Sequence, residues 1–246
     1  MNLLIVILGI VVVFLCYYIY QMYTTPSKLG GDNTYLGKMK ETAPETIAPS
    51  SISEPYSSKY TIAYWIYVNT FSQEINKFLS YGKPESSTGG AAIDICSFEL
   101  DNTQPKLLTK IKTGQIDGAT YQTITITDNL PIQSWVYVLV SVQSMYADCY
   151  INGKLVVSQQ LKETAVSIPM TSNGDTPKPT FSLYGGPNID VYITRMMRLA
   201  YPIDPQTVWN YYNQGNGNAM GPGNSSTYHL SVEVSKDDKT WEWKVF

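Results

Sequence analysis

Residues 135–161, WVYVLVSVQSMYADCYINGKLVVSQQL, constrain this chain more than any other stretch. Trp135 to Val142 is a nearly continuous run of β-formers, the pattern of a strand covered on both faces. Ala147, Cys149 and Ile151 then alternate with Tyr146, Asp148 and Tyr150. Asn152-Gly153 predicts a two-residue turn, since both residues tolerate positive φ, and Lys154 to Val157 returns along the turn's far side. A chain built around such a hairpin is committed to antiparallel β structure.

The rest of the middle agrees. In YTIAYWIYV, Ile62, Tyr64, Ile66 and Val68 fall on one face and Ala63, Trp65 and Tyr67 on the other, with large residues on both. AAIDICSFEL reads as a strand, and Lys106 to Lys112 as a weaker one. YQTITIT sets Tyr121, Thr123 and Thr125 against Gln122, Ile124 and Ile126. Thr180 to Tyr184 and Asp190 to Ala200 continue the series. One helix interrupts it: Asp204 can cap, Pro205 fits the first turn, Val208, Tyr211 and Tyr212 share a face, and Gly215 stops it. The tail, YHLSVEVSKDDKTWEWKVF, reads as a second hairpin. It sets Leu230, Val232 and Val234 against Trp241, Trp243 and Val245. A two-stranded ribbon is marginal alone, so its Trp241/Trp243/Val245 face is a candidate interaction surface.

The N-terminus is of another kind. From Leu3 to Tyr20 runs LLIVILGIVVVFLCYYIY, and no charge occurs before Lys28. Such a run is about 27 Å long as a helix, close to the hydrocarbon thickness of a bilayer. Leu3, Ile5, Ile7, Val11 and Phe14 would meet lipid, and Tyr17 and Tyr20 suit the headgroup layer. A cleaved signal peptide fits less well, for lack of a basic start and a small-residue cleavage site. Lys28, Lys38 and Lys40 come directly after the run. The positive-inside rule therefore places the C-terminal domain on the cytosolic side, against which the sequon Asn224-Ser225-Ser226 argues. Residues 24–58 are rich in Pro, Ser, Thr and Gly without apolar periodicity, the composition of a flexible linker. The expected organisation is an anchor at 1–23, a linker at 24–58, a β domain at 59–216, and a loop with the terminal hairpin at 217–246.

Several functions are excluded on composition. Only 15% of residues are charged and the net charge is −3, so no basic track for nucleic acid exists. Three cysteines are too few for a disulfide scaffold. Cys96 and Cys149 are read as buried free thiols, with a single bridge between them as the alternative.

Several of these elements resemble the concanavalin A-like (laminin-G or pentraxin-type) domains. The resemblance lies in Tyr64-Trp65-Ile66 on an opening strand, and in Trp135-Val136-Tyr137-Val138 followed by Cys149-Tyr150-Ile151-Asn152-Gly153-Lys154-Leu155. It continues in Phe181-Ser182-Leu183-Tyr184-Gly185-Gly186 before Ile189 to Ile193, and in Pro202-Ile203-Asp204-Pro205 opening the helix. It spans about Tyr60 to Asn216. It implies an all-β jelly-roll sandwich of two antiparallel sheets with one short helix, here preceded by a single transmembrane helix. Family functions run from glycan binding to glycoside hydrolysis to scaffolding, and fold alone does not choose among them.

Catalytic chemistry is hard to find. Glycoside hydrolysis needs two carboxylates flanking one bond. The family's Glu-x-Asp-x-x-Glu pattern is absent, and the nearest approach is Glu99 with Asp101. His229 is the only histidine and alternates with apolar residues of the tail. No Cys/His cluster suggests zinc. By analogy with calcium-binding relatives, Asp94, Asn188 and Asp190 are the candidate metal ligands. No other cofactor is expected.

The expected function is therefore a non-enzymatic, membrane-anchored structural or interaction protein. In organisation it resembles membrane-anchored minor capsid proteins of large DNA viruses, which join an inner membrane to a protein shell. The partners expected are the lipid bilayer and other structural proteins, with a glycan as the alternative and no nucleic acid. The location implied is a virion inner membrane with the domain on the capsid side.

Overall fold

The computed structural model describes residues 8–9, 11–17, 27–29, 34–35, 45–47, 52, 54, 56–70, 77–83, 92–115, 120–166, 179–185, 190–216, 231–236 and 239–244. Its strands, in chain order, begin with β1 (Ser27–Leu29), β2 (Thr34–Tyr35), β3 (Glu45–Ile47), β4 (Tyr60–Thr70) and β5 (Lys77–Lys83). Then come β6 (Ile93–Leu100), β7 (Leu107–Thr113), β8 (Thr120–Thr127), β9 (Trp135–Gln143), β10 (Tyr146–Ile151) and β11 (Lys154–Gln160). The series closes with β12 (Thr180–Leu183), β13 (Asp190–Leu199), helix α1 (Pro205–Asn213), β14 (Ser231–Lys236) and β15 (Lys239–Lys244).

All pairings are antiparallel. One sheet runs β1-β13-β4-β9-β10-β11, with β2 also on β13, and the facing sheet runs β3-β12-β5-β6-β7-β8. Alternation decides what lies between them. Ile62, Tyr64, Ile66 and Val68 of β4 and Val136, Val138, Val140 and Val142 of β9 face inward. There they meet Phe78, Phe98, Leu107, Ile111, Ile124 and Phe181 of the other sheet. The Tyr64 ring sits edge-on to Phe98, with centroids 4.9 Å apart. Each such side chain stabilises the fold by roughly 1.5–3 kcal/mol when fully buried.

The opposite faces of β4 and β9 are buried as well. Ala63, Trp65, Tyr137, Leu139 and Tyr150 form a second cluster with Val208 of α1. Trp65 stacks on Tyr212 at 5.6 Å. The helix thus explains why the first and central strands carry aromatics on both faces. Its N-cap is Asp204, whose carboxylate accepts from the Gln206 and Thr207 amides, and Pro205 stands at its start. At its other end Arg195, held at φ 48° in a register shift of β13, donates to the Gln214 and Gly215 carbonyls. The hairpin between β10 and β11 turns at Asn152-Gly153, with φ of 49° and 78°.

Within the segment expected to be a linker, three described stretches pair with the sheets. β1 and β2 pair with β13, and β3 pairs with β12, so the same stretch closes one edge of each sheet. Ile52 is buried in the core and Ile47 packs against it. Arg198, 1% exposed, donates to the Glu54 carbonyl at 3.3 Å while its guanidinium lies 4.9 Å from the Tyr81 ring centroid. Composition missed this because edge pairing uses backbone groups, which any residue but proline supplies. Strand β5 also escaped the sequence pattern. Phe78 and Leu79 are both in the core, and the bulge between Lys77 and Leu79 that permits this breaks the two-residue period.

At the N-terminus, residues 8–9 and 11–17 are helical. Among the described residues no helix is long and apolar enough to cross a membrane. Val11, Phe14 and Tyr17 are exposed, as are Leu8, Val12, Val13 and Leu15. Leu3, Ile5, Ile7 and Tyr20 lie outside the described residues.

Candidate functional site

The outer face of the six-stranded sheet gathers the polar chemistry of the domain. Register lays a row across it: Ser182 of β12 beside Ser80 of β5, Ser80 beside Ser97 of β6, Ser97 beside Lys110 of β7, and Lys110 beside Thr123 of β8. The serines are nearly covered. Lys77 explains part of that. It stands opposite Glu99, whereas its partner Asp94 stands opposite Gly82, so its arm crosses the serine row to reach the carboxylate at 2.8 Å. The Tyr184 ring lies 4.4 Å from the Lys77 ammonium, and the Tyr184 hydroxyl is 3.3 Å from the Ser80 hydroxyl. Burial works against the Lys77 charge. The Asp94 hydrogen bond and charge, with Tyr184, outweigh it and raise the lysine above its ordinary value. A raised lysine adds stability below its unfolded value, and that contribution is lost as the pH climbs through the folded one.

A second pair lies farther along. Lys110 contacts Glu99 at 2.7 Å, and Ser97 donates to the other Glu99 oxygen at 3.4 Å. Beside it Lys112 is opposite Tyr121, with its ammonium 4.9 Å from the ring centroid. Burial raises the Tyr121 phenol; the nearby Asp94 charge adds to this and the Lys77 charge opposes it. The face is therefore a strip of hydroxyls, phenols and ammoniums in which the described acids Asp94 and Glu99 are each engaged by a lysine.

The residues expected to carry chemistry scatter differently. Asp94 belongs to this face, but Asp190 lies on the other sheet, where its carboxylate accepts from Asn69 at 2.6 Å and Thr70 at 3.4 Å. Asn188 is outside the described residues. Among those described, no group of three or more His, Cys, Asp or Glu side chains could hold a metal ion. Asp101 caps a turn, accepting from the Thr103 hydroxyl and amide, which lower its carboxyl. Glu99, near the end of β6, contacts Lys110 instead. Cys96 and Cys149 are buried free thiols, and Cys16 is an exposed one. In the terminal hairpin β14 and β15, Trp243 pairs with Val232 and Trp241 with Val234. Val245 and His229 are outside the described residues. Lys77, Ser80, Lys110, Lys112 and Tyr184 were not singled out as site residues. The alternation of Lys110 and Lys112 with Thr109 and Ile111 was the readable signal for one side of the face.

Two packed antiparallel sheets, a helix on one outer face and a polar strip on the other define a jelly-roll domain of the lectin-like class. A profile of the Concanavalin A-like lectin/glucanases superfamily, Laminin_G_3, matches residues 41–178, more than half of the chain, and the chain belongs to that family. No curated protein matches it. Among solved structures, the receptor-binding domain of botulinum neurotoxin mosaic serotype C/D is similar over 89% of this chain and 54% of its own, at 12% identity and a TM-score of 0.54. The receptor-binding domain of botulinum neurotoxin D is similar over 76% and 44%, at 15% identity and a TM-score of 0.52. The chain thus spans about half the length of these domains, and the likeness is one of fold.

Proposed function

We propose that the chain is a membrane-tethered interaction module that performs no catalysis and joins a bilayer to a protein shell, as a minor structural component of a virion with an inner membrane. The observation that carries the tether is the helical stretch at residues 8–9 and 11–17. Its apolar side chains are exposed, and an apolar helix without a protein cover is stable where lipid covers it. The absence of catalysis is supported by the pairing on the polar face. A hydrolase needs one carboxyl to give a proton and another free to attack or activate water. Here Asp94 and Glu99 are each held by a lysine, at 2.8 Å and 2.7 Å. The terminal hairpin with Trp241 and Trp243 supplies an additional contact element, and the domain faces the cytosolic or capsid side. Co-fractionation tests this reading. The protein should stay with particle shells after detergent strips the lipid, and recovery only in free membranes would refute it.

A second reading is a membrane-anchored glycan-binding module. The hydroxyl- and tyrosine-lined strip of the six-stranded sheet favours it, and the toxin domains of similar fold are receptor-binding domains. A glycan array probed with the full chain, with and without calcium, tests it. Blank arrays in both conditions would remove it.

A further inference from the structure

Among the described residues, the strand charges that face outward on the six-stranded sheet pair off, except at Lys112. Lys77 has Asp94 and Lys110 has Glu99. Lys112 is only 7% exposed, and no described carboxylate makes an ion pair with it. The Glu163 carboxylate packs over Gly114, just past the end of β7, and it too leaves Lys112 without a salt bridge. Among the described residues the ammonium has the Tyr121 ring, 4.9 Å away at its centroid. A ring quadrupole returns part of the hydration lost on burial, and an anion returns far more. Among the described residues this largely buried lysine has no carboxylate beside it, and a charge-assisted bond to an anion would be strengthened by the low exposure of the site.

The surroundings define what kind of anion fits. Tyr121 is 46% exposed, so part of its side chain is accessible to a ligand. Thr123 and Thr125 lie along the same face of β8 beside it, with Thr123 exposed. Backbone N–H and C=O groups on a sheet face are already used in the ladders, so an extended peptide lying there gains no main-chain bonds. A ligand that brings many hydroxyls, a flat apolar patch and one negative group meets hydroxyls, a phenol ring and the ammonium in turn.

We propose that Lys112, Tyr121 and Thr123 form a calcium-independent subsite for the carboxylate-bearing unit of an acidic saccharide. This rests on the glycan-binding reading and narrows it. Lys112 takes the carboxylate, Tyr121 packs on the sugar ring, and Thr123 bonds a hydroxyl.

The test is a calorimetric titration of the full chain in detergent, with calcium chelated. The probes are a galacturonic acid trisaccharide and the galactose trisaccharide, which lacks only its carboxylates. Binding of the uronate should exceed that of the neutral sugar. Lys112→Gln should weaken the uronate about tenfold or more and leave the neutral sugar unchanged, while Lys112→Arg keeps the preference. Thermal unfolding of each variant separates lost binding from lost fold, and Tyr121→Leu, altered at an exposed side chain, serves if Lys112→Gln is unstable. Equal binding of both sugars, unaffected by Lys112→Gln, overturns the subsite and leaves glycan binding standing. Binding of neither sugar overturns both. Lys112-dependent binding of poly-glutamate without either sugar overturns the saccharide and assigns the subsite to an acidic peptide.

Discussion

Raising the pH from about 9 to about 12 should dismantle the sandwich through its buried thiols and phenols. Burial pushes Cys96 and Cys149 up to about 12, Tyr81 to about 12, and Tyr60, Tyr64 and Tyr137 above their ordinary value. In an unfolded chain the thiols titrate near ~8.5 and the phenols near ~10. The folded values are raised, so the fold holds the neutral forms. Their contribution is complete below the unfolded values and is lost as the pH climbs toward the folded ones. Each group makes stability fall by ~1.4 kcal/mol per pH unit while it is ionised only in the unfolded chain. The two thiols therefore set a slope of ~2.7 kcal/mol per unit between about pH 9 and 10, and the four tyrosines raise it to ~8 above that. Against a domain stability of roughly 5–15 kcal/mol, the chain should unfold at about pH 11–12. Urea midpoints measured at half-unit steps from about pH 8 give the slope. Tyrosinate absorbance on the same samples should show the buried phenols Tyr60, Tyr64, Tyr81 and Tyr137 ionising only together with unfolding. Cys149→Ala should remove about half of the first slope. A urea midpoint flat between about pH 9 and 10, or all tyrosines titrating together while the secondary structure persists, would refute the reasoning.

Two further outcomes rest on single side chains. Tyr64 is fully buried and its hydroxyl has no hydrogen-bond partner among the described residues, whereas its ring packs edge-on against Phe78 and Phe98. Tyr64→Phe should stabilise the fold by about 1 kcal/mol in urea unfolding, and a loss of that size would mean that the hydroxyl is bonded, by a trapped water for instance. Gly153 has φ 78°, and a Cβ there would lie 2.7 Å from Cε3 of Trp209. Gly153→Ala should cost about 2 kcal/mol or more and loosen α1, seen as a lower Tm with weakened aromatic circular dichroism. An unchanged Tm and spectrum would show that helix and turn do not press on each other.

How far the residue string reached depended on which groups make the contact. The β10–β11 hairpin, the two-faced strand β4 and the Asp204-capped helix were all legible, because side-chain period, turn chemistry and capping are local. The bulged strand β5 was not. A bulge is decided by the partner strand, and it hides the period that would announce Phe78, Leu79 and Tyr81. The strands β1 to β3 were illegible for a related reason: edge pairing asks only for free backbone groups, and the free edges of β12 and β13 exist only once the sandwich has formed. The same holds for the polar face. Lys77 and Asp94 are seventeen residues apart in sequence and meet because β5 and β6 lie side by side. Residue order dictated an antiparallel all-β core, its helix and the apolar N-terminal run, since hydrophobic period and turn residues act within a few positions. Which acids are neutralised, which edges are closed and which lysine has no carboxylate among the described residues emerged when the two sheets assembled. Charges and edges find partners through register, and register belongs to pairs of strands, not to either strand alone.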